Sequence, residues 1–80
     1  MDLEIFKDFK LKVYKGKFFE ITVQKITKNC IKFSNNHEIK IKDNCIFFNG
    51  ELISNKELNK EQLVELYKWF LTKKKYKIVE

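Results

Sequence analysis

The 80-residue chain has no arginine, no alanine and no proline, and only two glycines, two cysteines and one histidine. Without arginine there is no planar guanidinium to grip guanine or phosphate in bidentate fashion, so any contact with nucleic acid rests on lysine point charges. There is no glycine-rich phosphate loop either, because Gly16 and Gly50 stand alone as turn residues. Cys30, His37 and Cys45 are the only soft metal ligands. They lack the paired short spacings of a zinc site, and a chain this small has little room for a substrate pocket in which a thiol and an imidazole could work together. The simpler expectation is two small reduced thiols, buried or half-buried, and an exposed histidine in a turn. The carboxylates are scattered among lysines, with no pair set for acid and base work. Glu57, Glu61 and Glu65 recur every fourth residue and read as a solvated helix flank supporting Lys60 and Lys68. The expectation is a chain that is not an enzyme and carries no cofactor and no metal.

Long apolar runs are also missing. The longest, Cys45 to Phe48, is far too short to span a bilayer, and Met1 to Phe9 alternates charge with apolar residues instead of building a secretory signal core. Two cysteines without such a signal suit a cytoplasmic protein.

What the chain has in abundance is lysine. All 17 basic residues are Lys, giving a net charge of +6, and Lys, Asn, Ile, Phe and Tyr together make up 44 of the 80 residues. These are the amino acids of A- and T-rich codons, so an AT-rich genome accounts for part of the positive charge and weakens it as a footprint of nucleic-acid binding.

The one strongly periodic stretch is Ser54 to Lys75. Leu63, Leu66, Tyr67 and Phe70 fall at i, i+3, i+4 and i+7, one face of a helix, with Val64 and Leu71 on its shoulder. Two complete capping boxes compete for its start, Ser54 with Glu57 and Asn59 with Gln62, and both fit if a short turn leads into the main helix. Lys73, Lys74 and Lys75 suit the negative end of the helix dipole. One such face cannot offset the ordering cost of the chain, so residues 1–53 must supply most of the core.

Those residues alternate with period two. Met1 to Asp8 is ambiguous and is read as a strand. Phe9 to Tyr14, Lys17 to Ile26, Cys30 to Ser34, Glu38 to Lys42, Cys45 to Phe48 and a short Glu51 to Ile53 follow, separated by Lys15-Gly16, Lys28-Asn29, Asn35-Asn36, Asp43-Asn44 and Asn49-Gly50. A break of parity at Ile26 marks a bulge near Gln24-Lys25. Turns this frequent leave no room for parallel crossovers. The expected fold is therefore α+β within a single domain, 1–80: a five- to six-stranded antiparallel meander over 1–53, curled into a partly closed barrel, one C-terminal amphipathic helix over 54–75 packed on it, and a tail over 76–80 that adds a strand or packs on the sheet.

For function, the informative residue is Trp69, off the axis of the apolar stripe beside Leu66 and Gln62. It suits either a rim residue packing on the sheet or Leu58, or an exposed anchor of the kind that carries interface energy and stacks on bases. Tyr14, alone among lysines on the outward side of its strand, allows the same two roles. Lys10, Lys12, Lys40 and Lys42 face outward on clean strands, as solubility and edge-protection devices or, with Lys73, Lys74 and Lys75, as a basic face.

A meander finished by one amphipathic helix is similar, in order of elements, to pleckstrin-homology-like domains, although no phosphoinositide-binding signature accompanies it. Small size, AT bias and the lack of a catalytic set also resemble orphan phage and plasmid proteins, including anti-CRISPR and other anti-defence inhibitors. That resemblance implies a non-enzymatic protein-binding inhibitor or adaptor acting on a host or defence-system protein. The alternative is a lysine-based nucleic-acid-binding module, and a homodimer is compatible with either.

Overall fold

The computed structural model describes residues 3–79. Seven antiparallel strands form one sheet: β1 (Lys10–Tyr14), β2 (Phe18–Ile26), β3 (Cys30–Phe33), β4 (Glu38–Lys42), β5 (Cys45–Phe48), β6 (Glu51–Ser54) and β7 (Lys77–Ile78). The α-helix α1 (Lys60–Lys73) lies in sequence between β6 and β7. The spatial order is β6-β5-β4-β3-β2-β1-β7, a meander whose last strand returns to pair with its first. The expected count of five to six strands is corrected to seven. The tail supplies one of them, because Val13 and Tyr14 leave an open edge that Ile78 and Lys77 fill. The helix therefore does not finish the chain.

Turn chemistry sets the register. Asp43 and Asn44, and then Asn49 and Gly50, all take positive φ, which is the two-residue hairpin geometry that matches strand twist. The bulge expected near Gln24-Lys25 falls between Val23 and Lys25.

Alternation then sorts the two faces. Leu11, Val13, Ile21, Ile31, Phe33, Ile39, Ile46 and Phe48 are buried on the concave side, where Leu63, Tyr67, Phe70 and Leu71 of the helix meet them. Tyr67 stacks on Phe33 with centroids 4.5 Å apart, and Phe70 meets Phe48 edge-on at 5.1 Å. Rings offset or edge-on in this way add about 0.5–1.5 kcal/mol per pair beyond burial.

Three further expectations need correction. The amino-terminal segment is not a strand over its described part: Leu3–Phe6 is one 3-10 turn that buries Leu3 and Phe6, and the part of that expectation on residues 1 and 2 lies outside the described residues. The helix does not begin at Ser54. That residue pairs with Ile46 as the end of β6, and its Oγ accepts from the backbone N–H of Lys56 at 3.1 Å, so the first capping box never forms. The Asn59–Gln62 box does form, with both reciprocal bonds in place. Finally, the buried stripe is turned from its expected axis. Leu71 is fully buried, while Leu66 lies at the edge, half-buried.

Candidate functional site

The buried stripe sits between two edges of a sheet that curls without closing. Toward β7 the helix runs directly into the strand through Lys74, Lys75 and Tyr76. Toward β6 a gap remains, and Leu66 and Trp69 line it instead of entering the core.

The sequence explains this gap. The helix runs antiparallel to β6, since it starts just beyond the end of the strand and its last turn returns to the strand's beginning, where Lys73 Nζ lies 3.3 Å from Glu51 Oε2. Adjacent Ile46 and Phe47 pair with Ser54 and Leu52, so Ile53 is an extra residue in β6. A bulge of this kind brings Ile53 and Ser54 to the same side. The result is an open groove of about 670 Å³, walled by Ile53 and Ser54 on the strand and by Glu61, Gln62, Glu65, Leu66 and Trp69 on the helix, with Leu58 at one end. Its lining is mainly apolar, and 50% of Trp69 is exposed at the end opposite Leu58. Lys73 Nζ lies 5.4 Å from the Trp69 ring centroid, and Lys68 Nζ is 3.9 Å from Glu65 Oε1. Trp69 thus packs along the groove and presents half its surface to solvent.

Tyr14 lies elsewhere, half-buried on the convex face, with its ring 4.8 Å from that of Phe18, its cross-strand partner. Phe18 is 72% exposed. Sequence reading passed over Phe18, and the signal was available: it precedes Phe19, whose parity points inward. Lys10 and Lys12 flank this pair on β1, whereas Lys40 and Lys42 are three strands away on β4, about 14 Å at about 4.8 Å per strand. Lys73, Lys74 and Lys75 lie at the helix end, on the other side of the sheet. Lys74 Nζ stands 5.3 Å from the Phe70 ring. The seven lysines are therefore not brought onto one face.

A second cluster gathers around His37. His37 is half-buried rather than exposed, and its ring packs edge-on against Tyr67, Phe70 and Tyr76. Its backbone N–H donates to Asn35 Oδ1 at 3.1 Å, which fixes the amide so that Nδ2 faces the imidazole, 3.1 Å from Nδ1. An amide NH₂ only donates, so Nδ1 is the acceptor and the neutral ring carries its proton on Nε2. Tyr67 Oη is 3.2 Å from the same nitrogen, and Asn35 Nδ2 also reaches Tyr76 Oη at 3.5 Å. Burial, with Lys15 and Lys74 nearby, lowers the His37 pKa; burial pushes the Tyr67 phenol well up. The cluster holds the β3–β4 turn against the helix.

Cys30 and Cys45 are both half-buried. Burial and then Glu38 raise the Cys30 pKa, the reverse of what activates a thiol. Among the described residues no three His, Cys, Asp or Glu side chains are grouped to hold a metal ion, and no helix is long and apolar enough to cross a membrane. Compared with protein families, curated proteins and solved structures, the chain matches none of them.

Proposed function

We propose that this chain is a non-enzymatic protein-binding module, an inhibitor or adaptor of the anti-defence kind carried by phages and plasmids, and that it engages a host or defence-system protein through the groove between β6 and α1. The supporting observation is the groove itself: an open apolar trough with a half-exposed tryptophan at one end. Trp, with Tyr and Arg, is enriched among the few side chains that dominate interface energy. The mobile-element origin rests on size and AT-biased composition. Tagged protein in host lysate should recover a stoichiometric protein partner, retained by Lys40→Ala and lost by Trp69→Ala. A partner held equally well by Trp69→Ala, or none at all, would remove the reading.

One observation favours the nucleic-acid alternative: the exposed Phe18 against Tyr14, with Lys12 beside them and Lys77 directly opposite Tyr14. Stacking on an aromatic is worth about 1–3 kcal/mol per base. On this alternative, Phe18→Ala should weaken binding of a fluorescent single-stranded oligonucleotide at least fivefold, and affinity should fall linearly in log–log with salt. Absence of binding at low salt ends it.

A further inference from the structure

The groove has a polarity that selects its occupant. The strand forming one wall, β6, has among the described residues a neighbour on one side only, so on the groove side its backbone donors and acceptors have no strand partner there. The opposite wall carries Glu61 and Glu65, one helical turn apart, on a chain whose net charge is +6. Lys68 partly compensates Glu65, at 3.9 Å, so cations that the rest of the surface repels are drawn chiefly to Glu61. At the far end Lys73 stands over Trp69 and is paired with Glu51 at 3.3 Å, so that end is charge-balanced and its attraction is apolar.

From these features, and resting on the protein-binding reading above, we infer that the occupant is an extended segment of the partner that adds a strand antiparallel to β6. It places a large apolar side chain against Trp69 and Leu66, and a lysine or arginine, earlier in its sequence, against Glu61 or Glu65. Antiparallel addition follows the pairing used throughout the sheet. Because β6 runs from the Trp69 end toward the Glu61 end, an antiparallel segment enters at the acidic end and leaves at the tryptophan. The spacing also follows. Glu61 to Trp69 covers about 12 Å of helix and Glu65 to Trp69 about 6 Å, at about 1.5 Å per residue. An extended chain advances about 3.3 Å per residue, so the basic residue precedes the apolar anchor by about two to four positions. Backbone pairing supplies affinity in this mode, and alternate side chains supply specificity.

A second copy of the chain is a poorer occupant. Two bodies of +6 repel, whereas a partner segment carrying one basic residue does not bring that charge with it.

The test is selection of random twelve-residue peptides on the intact protein, followed by amide chemical-shift mapping with the best peptide. Enriched peptides should share Lys or Arg two to four residues before a large apolar residue, and residues 51–54 and 61–69 should shift together. Trp69→Ala should weaken the peptide at least tenfold, and the pair Glu61→Lys with Glu65→Lys should move the selected residue from basic to acidic. Peptides with apolar anchors at i, i+3, i+4 and i+7, an unchanged charge preference in the double variant, or no enrichment would overturn the inference. So would a dimer in sedimentation that Trp69→Ala dissociates. If a lysate partner depends on Trp69 while the library yields nothing extended, this inference fails and the protein-binding reading stands; if neither appears, both fall.

Discussion

Lys75 should be improved by glycine. Helix α1 ends in a Schellman motif, in which the N–H of Tyr76 donates to Leu71 O and that of Lys75 to Thr72 O, both at 3.0 Å. The motif requires its C′ residue to be left-handed, and that residue is Lys75, at φ 75°. Placing Cβ against the following carbonyl costs an L-residue about 1–2 kcal/mol. Glycine removes that cost but gives back about 0.4–1 kcal/mol through greater freedom of the unfolded chain. Loss of one cation from the negative end of the helix dipole takes a further few tenths at low salt, so the comparison belongs at moderate ionic strength. The expected net gain is about 0.5–1 kcal/mol, and at about 4–8 °C per kcal/mol a melting temperature raised by about 2–8 °C. Urea titrations of Lys75→Gly, Lys75→Asn and Lys75→Val should rank stability as Gly, then Asn, then the parent, with Val lowest. A glycine variant no more stable than the parent, with valine equally tolerated, would refute a left-handed cap at this position.

Other perturbations have expected sizes. Asn59→Ala should cost about 1 kcal/mol in a urea titration, because it removes the acceptor of the Gln62 N–H at the helix start. Tyr67→Phe keeps the stack on Phe33 and loses only the hydroxyl, so its cost should be about 0.5–1.5 kcal/mol. Truncating the same ring in Tyr67→Ala should cost about 3–5 kcal/mol. His37 has a folded pKa below its ordinary 6.5, so the unfolded chain binds more protons as pH falls through that value. Stability should therefore be fully retained above about pH 6.5, decline below it and level off beneath the folded pKa. In His37→Gln that pH dependence should flatten, measured by denaturation at a series of pH values.

Much of the fold was legible because local rules and sheet pairing agree. Asp43-Asn44 and Asn49-Gly50 carry the residues that tolerate positive φ, and Asn59 with Gln62 carries both halves of a capping box. Where two local signals were equally complete, tertiary pairing decided: Ser54 satisfies a capping rule as well as Asn59 does, yet pairing with Ile46 keeps it in the sheet. Periodicity placed Leu63, Tyr67 and Phe70 correctly but could not locate the centre of the stripe. Leu66 and Leu71 lie on opposite flanks, and only the position of β6 reveals which one the core takes. Trp69 was identifiable as off-axis, while the groove beside it depends on an extra residue at Ile53 that no alternation reveals in a four-residue strand. The burial of His37 is not legible locally, because Asn35-Asn36 has the composition of an exposed turn and the covering rings, Tyr67 and Tyr76, come from far along the chain.

The pairing of β7 with β1 ties Val13 to Ile78 and Tyr14 to Lys77. Every other ladder joins neighbours along the chain through a short turn and can zip outward from it. This one closes a loop spanning nearly the whole polypeptide, and such contacts recover their entropic cost only after most intervening structure exists. The outer margin of β1 should therefore stay unsatisfied until late in folding, and the helix must already be docked before the final clasp can fasten.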